Sequence, residues 1–222
     1  MVTAAGADDL VIRIDGREPV TAAGVEELLR LCDRAEDGFG AGVLVAYTEG
    51  APGPGWTGAL SVGLTSKWER AVRRVERLGL TTVAVAAGDV GGAALDVLLA
   101  ADVRIAATGS RLILASDGEA TWPGMALFRL ARQAGAAGLR RAALLGAPIG
   151  AATAMAAGLV DVVTDRPADA LADVVTEAAG FAGTELAIRR QLLLDAGRIS
   201  FEEALGAHLA ACDRALRRGT VS

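Results

Sequence analysis

One acidic side chain stands inside an otherwise apolar helical segment, directly after a run rich in glycine. Asp96 lies between Leu95 and Val97 in residues 93–101, where an unpaired charge is costly, so a partner or a catalytic task is expected. A tight glycine turn is predicted at residues 88–92, directly before this segment, and the start of a helix directs free backbone N–H groups at whatever lies above it. The spacing therefore predicts an oxyanion or anion cradle with a carboxylate one helical turn deeper.

Each of these features also has an interpretation without function. Residues 88–92 match neither the G-x-G-x-x-G spacing of a dinucleotide fold nor the G-x-x-x-x-G-K of a phosphate loop. They could serve only the close packing of a helix on a strand, and Asp96 could be an acid stabilised by the helix dipole. On the residues alone, both pairs of interpretations stay open.

Scarce residue types exclude several other chemistries. The two cysteines, Cys32 and Cys212, are far apart in the chain and are predicted to be buried, reduced thiols, so neither a redox pair nor a metal site is expected. The one histidine, His208, lies in a C-terminal helical segment without a nucleophile elbow upstream, which favours a structural role. Lys67 lies on an amphipathic helix, residues 62–78, whose charged side chains are expected to form an ordinary solvated face. No metal and no cofactor is expected.

Composition excludes two further classes of function. The 222 residues are 52% hydrophobic and carry a formal net charge of −5, without the basic stripe that nucleic acid attracts. The longest apolar stretches are far shorter than the roughly 20 residues of a membrane span. Residues 1–10 lack a basic leader with an apolar core behind it. We therefore expect a cytoplasmic protein that binds neither nucleic acid nor membranes.

The elements that must position Asp96 alternate between strand and helix in the first half of the chain. Strands are predicted at residues 11–14, 43–47 and 82–87, a strand pair at 103–106 and 111–114 around the turn at 108–109, and helices at 21–35 and 62–78. Residues 48–58 and 115–124 are predicted to be irregular loops.

Helices dominate after Gly124. They are predicted at residues 125–133, 138–145, 150–157, 167–179, 184–196 and 201–217, with one strand at 160–163. The pattern predicts one α/β domain with residues 1–165 as its core and residues 166–222 as a helical C-terminal extension.

Residues 82–163 resemble the crotonase superfamily, also called enoyl-CoA hydratase/isomerase. The matching strings are VAVAAG at 83–88 followed by two glycines, LLAADVRIA at 98–106, WPG at 122–124, LLGAPI at 144–149 and AMAAGLVD at 154–161. This resemblance implies a spiral of ββα units with a helical C-terminal trimerisation region. It also implies acyl-CoA thioesters as ligands, with the thioester oxyanion held by two backbone N–H groups.

The same resemblance assigns the donors of those N–H groups. The second donor is the backbone N–H of Ala93, or that of Gly92, one position earlier. The first falls in residues 56–59, at Thr57, where the superfamily has a small residue followed by glycine.

The resemblance assigns both backbone donors, but it finds an acid at only one of the two positions where the hydratases have a glutamate. Asp96 stands at the position of the first hydratase glutamate, and Ser116 stands at that of the second, with Asp117 beside it. Because efficient water addition needs two acids, the resemblance implies a weak hydratase. Proton transfer beside a thioester, or loss of water from an activated β-hydroxyacyl chain, suits such a site better, since one carboxylate can suffice.

A closer resemblance is to the DpgB family of 3,5-dihydroxyphenylglycine biosynthesis. It rests on the strings PGPGWT at 52–57, SKWER at 66–70, ATWPGMAL at 120–127 and ALGAHLA at 204–210. It implies a homo-oligomer, trimer or hexamer, that helps a type III polyketide synthase form 3,5-dihydroxyphenylacetyl-CoA from malonyl-CoA by dehydration and aromatisation. Two alternatives stay open: a non-catalytic scaffold that stabilises the synthase, and a generic weak enoyl-CoA hydratase or isomerase.

Overall fold

The computed structural model describes residues 10–38, 42–118 and 120–219. Its strands are β1 (Leu10–Asp15), β2 (Val43–Gly50), β3 (Thr81–Gly91), β4 (Val103–Ala107), β5 (Arg111–Ile113), β6 (Ser116–Asp117), β7 (Ala120–Thr121), β8 (Ile149–Gly150) and β9 (Val162–Thr164). Its helices are α1 (Ala22–Asp37), α2 (Val62–Val75), α3 (Gly92–Ala100), α4 (Met125–Ala134), α5 (Arg140–Leu145), α6 (Ala151–Ala156), α7 (Pro167–Ala178), α8 (Thr184–Ala196) and α9 (Phe201–Gly219).

The main sheet is parallel in the order β1-β2-β3-β4-β9. Residues of β2, β3 and β4 alternate between its two faces: Val45 and Val83 pack with Leu171 of α7, whereas Leu44 and Ala84 belong to the core shared with α1, α2 and α3. Both faces are buried, which is why these strands are nearly continuous runs of apolar residues. The predicted α/β class and the helical C-terminal region are confirmed.

Strand β3 is the longest and leads directly to the start of α3. Its first half pairs with β4, and its last residues, Asp89–Gly91, pair with β5. The turn predicted at residues 88–92 was wrong in this respect, because the strand continues to Gly91. A register shift against β2 occurs there, and Gly88 takes a φ of 63°, which glycine adopts without strain, so the strand bulges instead of ending.

Strands β4 and β5 do not form the predicted pair. Both lie parallel to β3, one after the other along its length, and β5 pairs on its other side with β8 in the antiparallel sense. The loop predicted at residues 115–124 contains a small hairpin of β6 and β7. Local sequence patterns detected the strands but could not choose among their partners.

The C-terminal helices α8 and α9 pack against each other. Large apolar side chains of α9 stay exposed, namely Phe201, Leu205, Leu209 and Leu216. No helix in the described part of the chain is both long and apolar enough to cross a membrane.

Helix α8 is joined to the sheet layer by one buried guanidinium. Arg190, whose side chain is 8% exposed, places Nε 2.5 Å from Oδ1 of Asp102 and Nη2 2.6 Å from its Oδ2. The same guanidinium donates to the carbonyls of Leu78 and Leu80. Because every buried charge needs partners, this cluster fixes where α8 lies.

We expect Arg190→Ala to lower the free energy of unfolding by about 3 kcal/mol, because Asp102 would lose its cationic partner and two carbonyls would lose their donor. Urea unfolding followed by circular dichroism measures this change. Arg189→Ala is the matched control, since Arg189 is the exposed neighbour on α8, and its effect should stay within about 0.5 kcal/mol. Equal small effects of the two substitutions would contradict the assigned role of Arg190.

Candidate active site

A small inner cavity lies between α2, α3 and the chain around Trp122. Its volume is about 40 Å³, enough for about one water molecule. Of the residues predicted for the site, Gly92, Ala93 and Asp96 line it. Other side chains that line it are those of Trp56, Leu60, Thr65, Trp68, Glu69 and Trp122.

The start of α3 forms one wall of the inner cavity. Gly91 precedes the helix, and no side chain caps its first turn, so the first amides of the helix have no intrahelical acceptor. A Cβ on Gly92 would lie 2.6 Å from Cγ of Pro52, and one on Gly91 would lie 2.9 Å from Cβ of Ala51. The glycines therefore do serve close packing, but against the loop after β2. Gly92 and Ala93 also line the inner cavity.

An outer pocket of about 420 Å³ adjoins the inner cavity. Leu60, Thr65 and Trp122 line both spaces. Thr57 and Val62 line the outer pocket alone. The two spaces are therefore neighbours, with Thr57 at the outer one.

Asp96 has the partners that its apolar surroundings predicted. The indole Nε1 of Trp68 donates to its Oδ2 at 2.9 Å, and Nη1 of Arg129 lies 3.6 Å from its Oδ1. Burial, and after it the charge of Glu69, raises the pKa of Asp96 to about 7, against the lowering effects of Trp68 and Arg129. Near neutral pH this carboxyl can therefore either donate or accept a proton.

Arg129 of α4 lies among three carboxylates. Its Nε is 2.7 Å from Oε1 of Glu76, and its Nη1 is 2.9 Å from Oε2 of Glu69 as well as near Asp96. Burial lowers the pKa of Arg129, but the hydrogen bond to Glu76 and the three negative charges outweigh it and leave the pKa raised. The guanidinium stays charged and holds α2, α3 and α4 together.

Asp117 and Ser116 lie at the loop that carries Thr57. The carboxylate of Asp117 accepts from the amide of Gly55 at 3.1 Å and from the hydroxyl of Thr57. The indole of Trp56 donates to the main-chain carbonyl of Ser116 at 3.0 Å. The hydroxyl of Thr57, and after it the amides of Gly55 and Thr57, lower the pKa of Asp117, so this carboxylate is a fixed acceptor at neutral pH.

The predicted site residues thus fall into two groups. Gly92, Ala93 and Asp96 line the inner cavity. Thr57, Ser116 and Asp117 lie beside it, where Asp117 holds the loop of Thr57 through hydrogen bonds. Neither Ser116 nor Asp117 lines the cavity.

Three charged members of the site were not predicted from the sequence. Glu69 and Glu76 were expected on a solvated helix face, yet their side chains are 17% and 13% exposed, and that of Arg129 is 7% exposed. The seven-residue spacing of Glu69 and Glu76, which puts both on one face of a helix next to Trp68, was the available signal.

The scarce residues lie away from the inner cavity. Cys32 is buried, and burial raises the pKa of its thiol to about 11. Cys212 was predicted to be buried but is exposed, because α9 packs along α8 and leaves that side outside. His208 and Lys67 are exposed. Within residues 10–38, 42–118 and 120–219, no group of three or more potential ligands could hold a metal ion.

Comparison with known proteins agrees with this geometry. Residues 58–205 match the family described as enoyl-CoA hydratase/isomerase. The chain is 58% identical over 214 residues to a protein named enoyl-CoA-hydratase from Amycolatopsis orientalis, and the match covers 96% of this chain and 99% of the relative.

Solved structures show the same fold at lower identity. An enoyl-CoA hydratase/isomerase from Marinobacter aquaeolei superposes with a TM-score of 0.78 at 19% identity, covering 94% of this chain and 88% of that one. A family member from Silicibacter pomeroyi gives 0.78 at 19% identity, covering 94% and 96%. From the family match and the 58% identical relative, we conclude that this chain belongs to the enoyl-CoA hydratase/isomerase family, within the crotonase superfamily.

Proposed function

We propose that this protein binds acyl-CoA thioesters and catalyses proton transfer beside the thioester carbonyl, above all the loss of water from an activated β-hydroxyacyl chain. One observation carries this proposal. Asp96, a largely buried carboxyl with a pKa of about 7, lies one helical turn below the uncapped start of α3. A proton-transfer group and a set of backbone donors therefore face one cavity.

The backbone donors stabilise the negative charge that develops on the thioester oxygen. The amides of Ala93 and Gly92 supply one side of this oxyanion hole, with the positive end of the α3 dipole behind them. The amide of Thr57 supplies the other side from the outer pocket when the thioester oxygen replaces the carboxylate of Asp117 as its acceptor. One such donor contributes about 10² to 10³ in rate.

Asp96 handles the protons. Loss of water breaks a Cα–H bond and the Cβ–O bond, forms the C=C bond, and releases the hydroxyl with one proton as water. A carboxyl that titrates near neutrality can take the α proton or protonate the hydroxyl. A single carboxyl suffices when it gives the hydroxyl the proton it took from Cα.

Asp117 and Ser116 assist from the loop. The carboxylate of Asp117 holds Gly55 and Thr57, and the main chain of Ser116 holds Trp56. In this proposal, they fix the position of the first oxyanion donor and do not act on protons themselves.

The cellular role that we propose is help to a type III polyketide synthase. The strings at 52–57, 66–70, 120–127 and 204–210 support a place beside that synthase in forming 3,5-dihydroxyphenylacetyl-CoA from malonyl-CoA, on the way to 3,5-dihydroxyphenylglycine. The exposed apolar side chains of α9 support a homo-oligomer, trimer or hexamer. Because the site has one assigned proton-transfer group, we expect the protein to be a lyase of low efficiency when it acts without the synthase.

The rate of aromatic CoA-ester formation from malonyl-CoA by such a synthase, with and without this protein, tests the role. We expect stimulation by the wild type and a loss of about 10² or more in Asp96→Asn, because the amide cannot transfer the proton. Stimulation that survives the substitution at saturating CoA ester would favour the scaffold. Turnover of crotonyl-CoA without any partner, and no stimulation, would favour a generic hydratase or isomerase.

Asp117→Ala should lower kcat about tenfold and change KM for the CoA ester less, because the loop of Thr57 would lose the carboxylate that fixes its oxyanion donor, while Asp96 keeps its own position. Steady-state kinetics of the stimulated reaction measure both constants. Ser116→Ala is the matched control and should stay within about twofold, because Ser116 uses its main-chain carbonyl. A loss of about 10² or more from Asp117→Ala, equal to that expected of Asp96→Asn, would instead place Asp117 in the proton transfer.

A further inference from the structure

A second carboxylate faces the same cavity as Asp96. Glu69 of α2 lines the inner cavity together with Asp96, and their side chains are 17% and 14% exposed. The same nitrogen, Nη1 of Arg129, lies 2.9 Å from Oε2 of Glu69 and 3.6 Å from Oδ1 of Asp96. Two acids on different helices therefore converge on one guanidinium at one cavity wall.

We propose that Glu69 is the catalytic base of this site and that it works with Asp96, which is the acid, as a carboxyl pair. The proposal deepens the proposed function and rests on it. Glu69 of α2 thereby supplies a second acid. In the superfamily that acid stands at the position that Ser116 occupies in this chain.

The surroundings of the two carboxyls set them apart. Glu69 forms the closer ion pair with Arg129 and also lines an open groove of about 920 Å³ between α2, α4 and α8, which Asp96 does not reach. Asp96 is buried and faces the negative charge of Glu69, and these two conditions favour its protonated form against the hydrogen bond from the indole of Trp68. Acids whose environments differ in this way take opposite roles in proton transfer.

The other charged groups near the pair do not change this assignment. Glu76 lies on Nε of Arg129 and pairs with Arg73 as well, so its charge is shared between two guanidiniums. It does not line the inner cavity. Among the described residues, the charged groups facing the two carboxyls thus come from α2 and α4.

Thr65 marks where the hydroxyl leaves. Its Oγ1 is buried without a hydrogen-bond partner among the described residues, and Thr65 lines both the inner cavity and the outer pocket. A buried hydroxyl is usually satisfied by a partner, and a cavity of about 40 Å³ fits the departing water and not an acyl chain. The β-hydroxyl then enters the inner cavity, which Glu69, Gly92 and Ala93 also line, and the rest of the thioester lies in the outer pocket.

The steps balance without any other reactant. The Glu69 carboxylate takes the proton from Cα, and the electrons of that bond form the C=C bond. The Cβ–O bond breaks as protonated Asp96 gives its proton to the hydroxyl, which leaves as water. Glu69 is then protonated and Asp96 is a carboxylate, so one proton transfer within the pair restores the starting state.

Exchange of the α protons of phenylacetyl-CoA in D₂O, followed by NMR, tests the base without needing the synthase or the loss of water. We expect exchange by the wild type, a loss of about 10² or more in Glu69→Gln, and a smaller loss, about tenfold or less, in Asp96→Asn. Glu26→Gln is the matched control, because it makes the same chemical change on a glutamate of α1 whose side chain is 70% exposed, and it should stay within about threefold. Circular dichroism checks that each variant is folded.

The opposite pattern would overturn the inference. If Asp96→Asn abolishes exchange and Glu69→Gln does not, Asp96 is the base and acts alone. An exchange rate that rises tenfold per pH unit up to about 7 would likewise point to Asp96 as the base, because only its carboxylate accepts a proton. Wild-type exchange no faster than that in buffer would overturn the proposed thioester site itself, and the pair with it.

Discussion

The buried guanidinium of Arg129 is the contact on which the site depends. A charge removed from water is costly unless it is paired and hydrogen-bonded, and Arg129 meets this requirement with Glu69, Glu76 and Asp96. Those carboxylates come from α2 and α3, while Arg129 comes from α4. Satisfying one charge therefore fixes the relative positions of three helices, and with them one wall of the inner cavity.

The same arrangement explains why Asp96 is unlike an ordinary aspartate. One cation serves three anions, and Glu69 and Glu76 lie closer to it than Asp96 does. Asp96 is left with a hydrogen bond from Trp68, with the repulsion of Glu69 and with little water. Burial, and after it the charge of Glu69, therefore raises the pKa of Asp96 to about 7, and the more distant Arg129 does not offset the rise. A stronger pairing of Asp96 with Arg129 would give a more stable carboxylate and a poorer proton donor.

Much of the fold could be predicted from local patterns. The strands at β2, β3 and β4 are apolar runs, and the helices α1 and α2 begin at Thr21 and Ser61, whose hydroxyls accept from the amides of Gly24 and Leu64. The errors share one cause. A local sequence pattern carries no information about strands far away in the chain. Those strands decide whether the glycines after Ala87 form a turn or a bulge, and whether β4 pairs with β5 or with β3.

The sequence by itself determined that Asp96 would need a partner, because a carboxylate inside an apolar helix has no favourable alternative. It also determined the superfamily, because the motifs from Val83 to Asp161 occur in the order and spacing of that fold. Only the tertiary structure decided which partners Asp96 has, that Glu69 faces the cavity, and that Asp117 holds the loop of Thr57. These are contacts between residues 28 to 60 positions apart, and the low dielectric that shifts a pKa exists only where those elements pack together.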